Sequence, residues 1–487
     1  MADEKALTKR ADDFAAWYNE VVLRAELADY SPVRGCMVIR PYGYGIWERM
    51  QRALDDMFKA TGHQNAYFPL FIPQSFLERE KKHVEGFAPE VAVVTHAGGK
   101  ELEEPLVVRP TSETIIYAMF AKWVQSYRDL PLLINQWANV VRWELRTRLF
   151  LRTTEFLWQE GHTAHINETE AEEETILILN LYREFMEQWV AMPPITGRKS
   201  DAERFAGAVR TYSCEALMQD NRGLQAGTSH MLGQNFSRQF DLKFQTEAGS
   251  EDYAYNTSWG VSTRLVGGLV MTHGDDNGIV VPPRLAPTQV VVIPIYRTDE
   301  ERAVVLEKAE RVGNVLRTEH VRVQVDARDT VKPGSKFYEW ERKGVPMRIE
   351  IGPKDVAKQQ LMIVLRTEVD GLHRKEAMDE AVALMTIPTR LEEYQRALRD
   401  QAIARREANS HRGVTEYGQL RELTERDAGF VYAGWCASAE CEARVKEETK
   451  ATIRCIPDAE FRSKAAPATC VVCGQRAQHE VIWARAY

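Results

Sequence analysis

The sequence predicts a multidomain α/β protein, and three patterns along its 487 residues lead to that class. Two strand-like segments within residues 137–166 predict an antiparallel hairpin. Residues 288–390 alternate between strand-like and helix-like segments, which is typical of an α/β unit. Four cysteines in paired spacing follow in the last hundred residues. We therefore expect three domains, at residues 1–287, 288–390 and 391–487.

The composition describes an ordinary soluble globular protein, with 44% hydrophobic and 28% charged residues. No apolar run approaches the roughly 20 residues that a membrane span needs, and the polar start MADEKALTKRADD lacks the apolar core of a signal peptide. A cytoplasmic protein is expected. The net charge of -8 argues against non-specific coating of nucleic acid but allows local basic patches.

The first segments predict two helices and an interrupted strand. Residues 11–28 repeat apolar side chains at helical spacing, and a Gly-rich turn leads into a second helix at residues 46–60. The run QNAYFPLFIP predicts an apolar strand that contains Pro69 and Pro73. Because proline removes a ladder donor, this strand is expected at a sheet edge, where a second subunit can approach.

Thr111, Ser112 and Glu113 stand directly before an apolar helical run. Two interpretations of this segment stay open. A Thr or Ser cap followed by an acidic first turn is ordinary chemistry for a helix start. The functional alternative makes Thr111 and Glu113 ligands for an ammonium group.

Residues 137–146 and 155–164 are predicted to pair through a long basic loop. Because side chains alternate along a strand, each strand presents one charged or aromatic face: Arg142, Glu144 and Arg146 on the first, and Phe156, Trp158, Glu160 and His162 on the second. Such a surface suits a nucleotide, since rings stack on a base and guanidinium groups bind phosphate bidentately. An amphipathic hairpin with salt-bridged charges on its wet side is the alternative.

Further along, residues 225–230 form a polar cluster that ends in His230, and Arg264 begins a predicted helix. The α/β unit that follows is expected to have a mostly parallel sheet, with a locally basic second half. Arg348 and Lys354 are expected to flank the end of one of its strands, where α/β folds place ligand contacts. A charged helix is predicted from about residue 391.

The paired cysteines are Cys436, Cys441, Cys470 and Cys473. In a reducing compartment this spacing indicates metal binding before disulfide formation. Cys455 lies between the pairs and is predicted to be a spare.

Together these segments resemble the class II aminoacyl-tRNA synthetases, and most closely the prolyl-tRNA synthetases of the archaeal and eukaryotic-like type. The resemblance covers the whole chain. Pro69 in NAYFPLF is similar to motif 1, RWE at residues 142–144 with Phe156 to motif 2, and WGVSTR, ending at Arg264, to motif 3. More specific to proline are PTSE, LWQEGHTA, QAGTSH and THGDDNGIVVPPRLAP.

The resemblance implies a catalytic domain built on an antiparallel sheet, an α/β anticodon-binding domain and a C-terminal zinc-binding α/β domain. It implies that proline is activated with ATP and Mg²⁺ to prolyl adenylate and transferred to the 3′ end of tRNA(Pro). Motif 1 implies a homodimer. The cysteine set implies one structural Zn²⁺, because four thiolates leave no open position on a tetrahedral ion.

The resemblance also implies a role for individual residues. Adenine is expected between Phe156 and Arg264, with Arg142 and Arg264 as the catalytic residues. The ATP site is expected to comprise Arg142, Glu144, Arg152, Thr153, Phe156, Gln225, Thr228, Ser262 and Arg264. The proline pocket is expected to comprise Thr111, Glu113, Arg142, Trp158, Glu160, His162, Phe205 and His230. The residues expected to read the anticodon are Glu341, Arg348, Lys354 and Asp355.

One departure from the common bacterial form affects substrate choice. Only about a hundred residues of the sequence separate motif 2 from motif 3. No large editing insertion is therefore expected between them. Without such an insertion, activation of cysteine or alanine is expected in addition to activation of proline. Two other functions remain open: a catalytically inactive synthetase-like sensor of tRNA or amino acid, and a zinc-dependent nucleic-acid-binding module. The apolar run that ends at Tyr487 is expected to dock on the rest of the protein.

Overall fold

The computed structural model describes residues 6–78 and 91–487. The α-helices of this part of the chain are Phe14–Arg24, Pro41–Ala60, Gln74–Glu78, Glu113–Trp123, Glu168–Gln188, Asn235–Phe240, Arg264–His273, Asp299–Thr318, Pro333–Arg342, Pro353–Ala357, Glu380–Ala408, Tyr417–Glu425 and Ala439–Thr449. Short 3-10 turns span Tyr127–Asp129 and Ala459–Phe461.

The strands, in chain order, are β1 (Ala28–Tyr30), β2 (Met37–Ile39), β3 (Gln64–Asn65), β4 (Phe71–Pro73), β5 (Ala92–Ala97), β6 (Lys100–Val108), β7 (Leu132–Val141), β8 (Glu155–His165), β9 (Ile195–Arg198), β10 (Arg210–Leu217), β11 (Gly223–Gly233), β12 (Lys243–Gln245), β13 (Glu251–Tyr253), β14 (Tyr255–Ser262), β15 (Val290–Pro294), β16 (Val323–Val325), β17 (Met347–Ile351), β18 (Gln360–Leu365), β19 (Lys375–Asp379), β20 (Ser410–Val414), β21 (Phe430–Trp435), β22 (Thr452–Pro457) and β23 (His479–Ala484). The mixed α/β class predicted from the sequence is confirmed.

The largest sheet has eleven strands in the order β20-β21-β23-β22-β9-β10-β11-β14-β8-β7-β3. Its central pairs are antiparallel, as predicted for the catalytic domain, and only the outer pairs β3/β7 and β20/β21 are parallel. The β22/β9 pair joins C-terminal strands to the catalytic strands, so one sheet runs through both regions.

Helices cover one face of this sheet and bury its core. The Glu168–Gln188 helix starts at Asn167, whose side chain accepts a hydrogen bond from the Glu170 amide, and it buries Tyr182 and Phe185 against the sheet. Gly161 of β8 lies opposite Trp259, and a Cβ at Gly161 would come within 2.1 Å of the indole ring. Packing of this ring flat on the sheet therefore requires glycine.

The predicted hairpin forms, but its first strand begins and ends five residues earlier than expected. β7 and β8 pair from Leu132↔Ala164 to Val141↔Glu155. Residues 142–154 leave the ladder and fold back as a loop that donates a hydrogen bond from Thr154 N to Gly35 O at 2.9 Å. The prediction that Arg142, Glu144 and Arg146 share a strand face is therefore wrong.

Three other predicted boundaries are wrong. The second helix begins at Pro41, five residues before the predicted start, because Pro41 occupies the first turn, where its missing N–H costs nothing. The proline-rich strand at residues 64–73 is instead two short strands, β3 and β4, each at the edge of a different sheet. The C-terminal charged helix begins at Glu380, before the predicted start near residue 391, and runs through Pro388 to Ala408.

The α/β unit has a five-stranded sheet in the order β16-β15-β17-β18-β19. The pairs that β15 makes with β16 and β17 are parallel, while β17/β18 and β18/β19 are antiparallel. The sheet is therefore mixed rather than mostly parallel. Antiparallel pairing follows from the short connections after β17 and β18, which are too brief for a crossover helix that returns to the same sheet edge.

Along residues 6–78 and 91–487, no helix combines the length and apolar character that crossing a membrane requires.

Candidate active site

A cavity of about 310 Å³ opens on the exposed face of β8, β11 and β14. The even-numbered side chains of β8 from Phe156 to His162 point into it, as strand alternation predicts. The cavity brings together these residues named from the sequence: Thr111, Glu113, Arg142, Phe156, Trp158, Glu160, His162, Phe205, Gln225, Thr228, His230, Ser262 and Arg264. Its size is in the range of small-molecule sites.

A second cavity of about 180 Å³ adjoins the first and shares Arg142, Phe156, Ser262 and Arg264 with it. The remaining residues expected at the nucleotide, Glu144, Arg152 and Thr153, line this smaller cavity. The two neighbouring cavities together are therefore lined by all the residues predicted for amino acid and ATP.

One end of the large cavity is acidic. Thr111 and Glu113 are buried, and the Thr111 hydroxyl donates to the Glu113 carboxylate. Ser112 is the residue before the Glu113–Trp123 helix, but its side chain makes no capping hydrogen bond. Its hydroxyl donates instead to Glu160 Oε1 at 2.5 Å. The helix therefore starts where the sequence predicted, with Glu113 in its first turn, but Ser112 at the cap position makes no side-chain capping bond.

Glu160 lies at the centre of a buried hydrogen-bond network. Its carboxylate accepts from Gln136 Nε2 at 2.8 Å and lies 3.1 Å from His162 Nε2. Gln136 reaches it because the two residues are directly opposite in the β7/β8 ladder. Burial opposes ionisation of Glu160, but the hydrogen bonds from His162, Ser112 and Gln136 outweigh it and lower the pKa of the carboxyl. The cavity floor therefore carries a negative charge at neutral pH.

Several buried polar atoms of the cavity lining have no protein partner. They are Trp158 Nε1, His162 Nδ1 and Ser258 Oγ. Buried donors and acceptors are normally paired, because an unpaired one costs about 1 to 3 kcal/mol. Their concentration here indicates atoms that hydrogen-bond to a ligand or to water in the cavity.

The wall opposite β8 is aromatic. The Phe205 ring stacks on the His230 ring with centroids 4.6 Å apart. Thr211 Oγ1 lies 3.0 Å from His230 Nδ1 and accepts the Phe205 amide hydrogen bond at 3.1 Å. Thr211 thus holds both rings in place, a role that the sequence did not suggest.

Arg142 stands where the two cavities meet. Its Nε donates to the Pro110 carbonyl at 2.9 Å, and its guanidinium carbon lies 5.5 Å from the Phe156 centroid and 5.4 Å from the Trp158 centroid. Although Arg142 is outside β7, its amide donates to Thr154 O at 2.8 Å, which fixes the backbone. The cation–π contacts with the Phe156 and Trp158 rings fix the orientation of the Arg142 guanidinium between the two cavities.

Arg264 begins the helix after β14 and, like Phe156, lines both cavities. Its side chain donates to the carbonyls of Leu151 and Gln225, both at 3.3 Å. Burial and the neighbouring Arg142 and Arg152 lower the pKa of Arg264 to about 10, so it remains a cation at neutral pH. Three guanidinium groups close together create a positive potential that suits a polyphosphate.

The loop after β7 forms the rim of the smaller cavity. Arg152 Nε and Glu144 Oε2 form a salt bridge of 2.6 Å, and the Thr153 hydroxyl donates to the Glu155 carbonyl at 2.8 Å. Burial opposes ionisation of Glu144, but the Arg146 amide and the Arg152 charge outweigh it and lower the pKa of the carboxyl.

The cavity also contains residues that the sequence reasoning missed, among them Glu203, Thr211, Ser258 and Trp259. Ser258 could have been found, because β14 alternation places it on the same face as Ser262. No sequence pattern pointed to Glu203 as a cavity residue, because it lies in a loop that matches none of the named motifs.

One small cleft brings together two of the four residues expected to read the anticodon. Glu341 and Arg348 line a cleft of about 30 Å³, which holds roughly one water. There Arg374 pairs with Glu341 at 3.2 Å. Arg348 lies near the start of β17 and Lys354 after its end, so the expectation that both flank one strand end is wrong. Asp355 Oδ2 caps the Gly352 amide at 2.9 Å.

The four paired cysteines converge. Their Sγ atoms all lie within 4.8 Å of one another, with 3.7 Å between Cys436 and Cys441 and 3.6 Å between Cys436 and Cys473. Tetrahedral Zn–S bonds of about 2.3 Å place sulfurs about 3.8 Å apart, so the cluster fits zinc. Cys455 is buried in a separate apolar cluster, as predicted for a spare residue.

Tyr487 docks beside the catalytic region. Its hydroxyl donates to Asp220 Oδ2 at 2.5 Å, and its amide donates to Gly223 O at 3.1 Å. The Arg148 guanidinium carbon lies 5.7 Å from the ring centroid. These contacts confirm the predicted docking of this residue.

Three family models match the chain. Residues 94–273 match the tRNA synthetase class II core domain (G, H, P, S and T). Residues 289–386 match an anticodon binding domain, and residues 417–487 match the C-terminal domain of prolyl-tRNA synthetase.

Curated relatives align along the full length. A proline-tRNA ligase of Roseiflexus castenholzii is 54% identical over 486 residues, which cover 99% of this chain and 100% of the relative. A proline-tRNA ligase of Chlorobium phaeobacteroides strain BS1 is 53% identical over 491 residues, covering 100% of both chains. That of Chloroflexus aggregans is 54% identical over 486 residues, 99% of this chain and 100% of the relative.

Proposed function

The chain belongs to the prolyl-tRNA synthetase family and is an ATP-dependent proline-tRNA ligase, and from that premise we propose how its cavities perform the reaction. The observation that carries the proposal is the position of Arg142, which lines both cavities and separates an acidic end from a cationic end. A single guanidinium at this junction can bind the carboxylate of proline and the α-phosphate of ATP together.

Proline occupies the acidic end. Its secondary ammonium faces the Glu113 carboxylate and the Thr111 hydroxyl, while the pyrrolidine ring packs between Trp158 and the Phe205–His230 stack. Glu160 and His162 form the polar floor beneath it. The buried carboxylates favour a cationic ligand, and the aromatic walls favour an apolar ring over an extended polar side chain.

ATP occupies the cationic end. Adenine stacks between the Phe156 ring and the Arg264 guanidinium, whose cation–π contact is strengthened by burial. Arg152 neutralises the distal phosphates. The other contacts to the nucleotide come from Glu144, Thr153, Gln225, Thr228 and Ser262.

Class II synthetases use ATP with Mg²⁺, which supplies charge neutralisation at the phosphates when bound. Glu144 is the one carboxylate that lines the smaller cavity among the residues described. Magnesium in nucleotide sites is commonly held by one or two carboxylates and the substrate phosphates, so this arrangement fits. We assign Glu144 to that role.

The first step needs no protein nucleophile. A proline carboxylate oxygen attacks the α-phosphorus, forming the mixed anhydride as the bond from the α-phosphorus to the bridging oxygen breaks and pyrophosphate leaves. Arg142 and Arg264 hold the charge that develops on the α-phosphate. The terminal ribose hydroxyl of tRNA then attacks the prolyl carbonyl, and AMP leaves. Catalysis rests on positioning and charge neutralisation.

The other parts of the chain serve tRNA binding and assembly. We propose that the three domains divide at 1–287, 288–390 and 391–487, and that the second binds the anticodon through Glu341, Arg348, Lys354 and Asp355. One structural Zn²⁺ is held by Cys436, Cys441, Cys470 and Cys473. The reducing cytoplasm keeps these four thiols from forming disulfides, so they are available to bind the metal.

We further propose a homodimer paired around Pro69. The neighbouring side chains of Tyr67 and Phe71 are 72% and 45% exposed, on a segment whose strands lie at sheet edges. Exposed aromatic rings at a sheet edge suit a two-fold contact between identical chains.

The test of the active-site assignment is Arg142→Ala, measured by proline-dependent ATP-pyrophosphate exchange. Loss of a cation at the developing charge should reduce the exchange rate about 10² to 10³ fold or more. Arg128→Ala is the matched control. The Arg128 guanidinium carbon also lies over an aromatic ring, 5.2 Å from the Tyr127 centroid, but Arg128 is exposed and lies outside the cavity. Exchange by Arg142→Ala within a few fold of the control would overturn the assignment.

A further inference from the structure

The loop at residues 199–209, between β9 and β10, forms one wall of the amino-acid cavity. Glu203 and Phe205 of this loop line the cavity, and the Phe205 ring is stacked on His230. The position of this short loop therefore sets the width of the space that receives the amino-acid side chain.

The C-terminal region fixes the start of this loop. β22 pairs with β9 through Pro457↔Gly197 and Ile456↔Arg198. The approach is close, since a Cβ on Gly197 would lie 2.3 Å from the Ile456 carbonyl oxygen. Two residues beyond Gly197, Lys199 Nζ donates to the Arg454 carbonyl at 2.7 Å.

The cysteine-bearing helix Ala439–Thr449 contacts the loop itself at two points. The Ser200 hydroxyl donates to Glu442 Oε1 at 2.5 Å, and both residues are buried. Lys446, one turn further along the helix, pairs with Glu203 Oε1 at 3.0 Å. Glu442 follows Cys441 directly, so the segment that supplies a thiolate also supplies the contact to the cavity wall.

We infer that Glu442 and Lys446 are positioning residues for the amino-acid pocket, through which the cysteine domain sets the affinity and selectivity for proline. The chain of contacts is short: Glu442 holds Ser200, Lys446 holds Glu203, and Glu203 and Phe205 bound the pocket. The inference rests on the proposed function of this cavity. It assigns to the C-terminal domain a role in amino-acid binding, besides its own stability.

The test compares Glu442→Ala with Glu442→Gln in ATP-pyrophosphate exchange by the full-length protein. Loss of a buried hydrogen bond to a charged group should raise the KM for proline about tenfold, with the KM for ATP unchanged. Glutamine retains an oxygen that accepts from Ser200, so Glu442→Gln should return the KM for proline to within about twofold of wild type. Glu447→Ala, an exposed position on the same helix, is the matched control.

Ser200→Ala removes the same hydrogen bond by deleting one oxygen atom. If Glu442→Ala does not fold, the KM for proline of Ser200→Ala provides the test instead. The double variant Ser200→Ala/Glu442→Ala should raise the KM for proline no further than Glu442→Ala alone, because the two residues act through one contact. Lys446→Ala should have a smaller effect in the same direction, since its pair is more exposed.

The inference is overturned if both Ser200→Ala and Glu442→Ala keep the wild-type KM for proline, or if the KM values for proline and ATP rise by the same factor. An absence of proline-dependent exchange in the wild-type protein is a different result, because it contradicts the proposed function itself.

Discussion

Removal of Glu215 should destabilise the junction between the catalytic strands and the C-terminal strands. Glu215 of β10 is fully buried and accepts hydrogen bonds from Lys199 Nζ at 2.7 Å and from Arg454 Nη2 at 2.7 Å. The side chains of Lys199 and Arg454 are only 1% and 6% exposed. Glu215→Ala therefore leaves two buried cations without their shared anion.

Removing one partner of a buried ion pair costs about 3 to 5 kcal/mol, because the remaining charge stays desolvated. We expect a loss of that size in the free energy of unfolding, measured by urea denaturation at pH 7. Glu422→Ala is the control, because its pair with Arg426 at 3.4 Å is exposed and should contribute little. A triple variant Lys199→Met/Glu215→Leu/Arg454→Met should be more stable than Glu215→Ala, since it leaves no unpaired charge.

The same triad predicts an acid dependence. Burial opposes ionisation of Glu215, but Arg454 and Lys199 outweigh it and lower the pKa of the carboxyl. A lowered folded-state pKa contributes stability that is present above the ordinary glutamate pKa of about 4.3 and lost as pH falls through the folded value. The free energy of unfolding of the wild type should therefore fall relative to that of the triple variant below that pH. A Glu215→Ala loss of less than about 1 kcal/mol at pH 7 would refute the reasoning.

Three further outcomes are expected. The protein should support pyrophosphate exchange with cysteine or alanine as well as proline, because each missing methylene changes binding by only about 1 to 3 kcal/mol; exchange with proline alone at saturating cysteine and alanine would contradict this. Light scattering at micromolar concentration should give the mass of a dimer, and a fully active monomer would exclude pairing around Pro69. Metal analysis should find one zinc per chain, and chelation should lower the melting temperature; a metal-free protein of unchanged melting temperature would argue against the cysteine site.

Local patterns in the sequence predicted the parts of the fold that local chemistry determines. Alternation from Phe156 to His162 correctly predicted a strand with one face toward the cavity. The end of the preceding strand at Val141 was not predictable in this way, because Thr154 closes the loop through Gly35, more than a hundred residues earlier in the chain. Pro41 did carry a local signal for a helix start, which the surrounding glycines obscured.

Long-range pairing explains the other differences. The resemblance to a family supplied the cavity residues that carry motifs, and these line two neighbouring cavities. Thr211 and Glu203 carry no motif, and their roles depend on a histidine in another strand and on a lysine near the C-terminus. The join between β22 and β9 is also invisible in the sequence, because it links strands more than 250 residues apart.

The most direct test of the central claim is the charging of tRNA(Pro) by the purified protein with labelled proline, ATP and Mg²⁺. We predict that prolyl-tRNA accumulates with the wild-type protein and the Arg128→Ala control but not with Arg142→Ala. Failure of the wild-type protein to form prolyl-tRNA would contradict the assignment as a proline-tRNA ligase. Equal charging by Arg142→Ala and the wild type would contradict the mechanism proposed for its cavity.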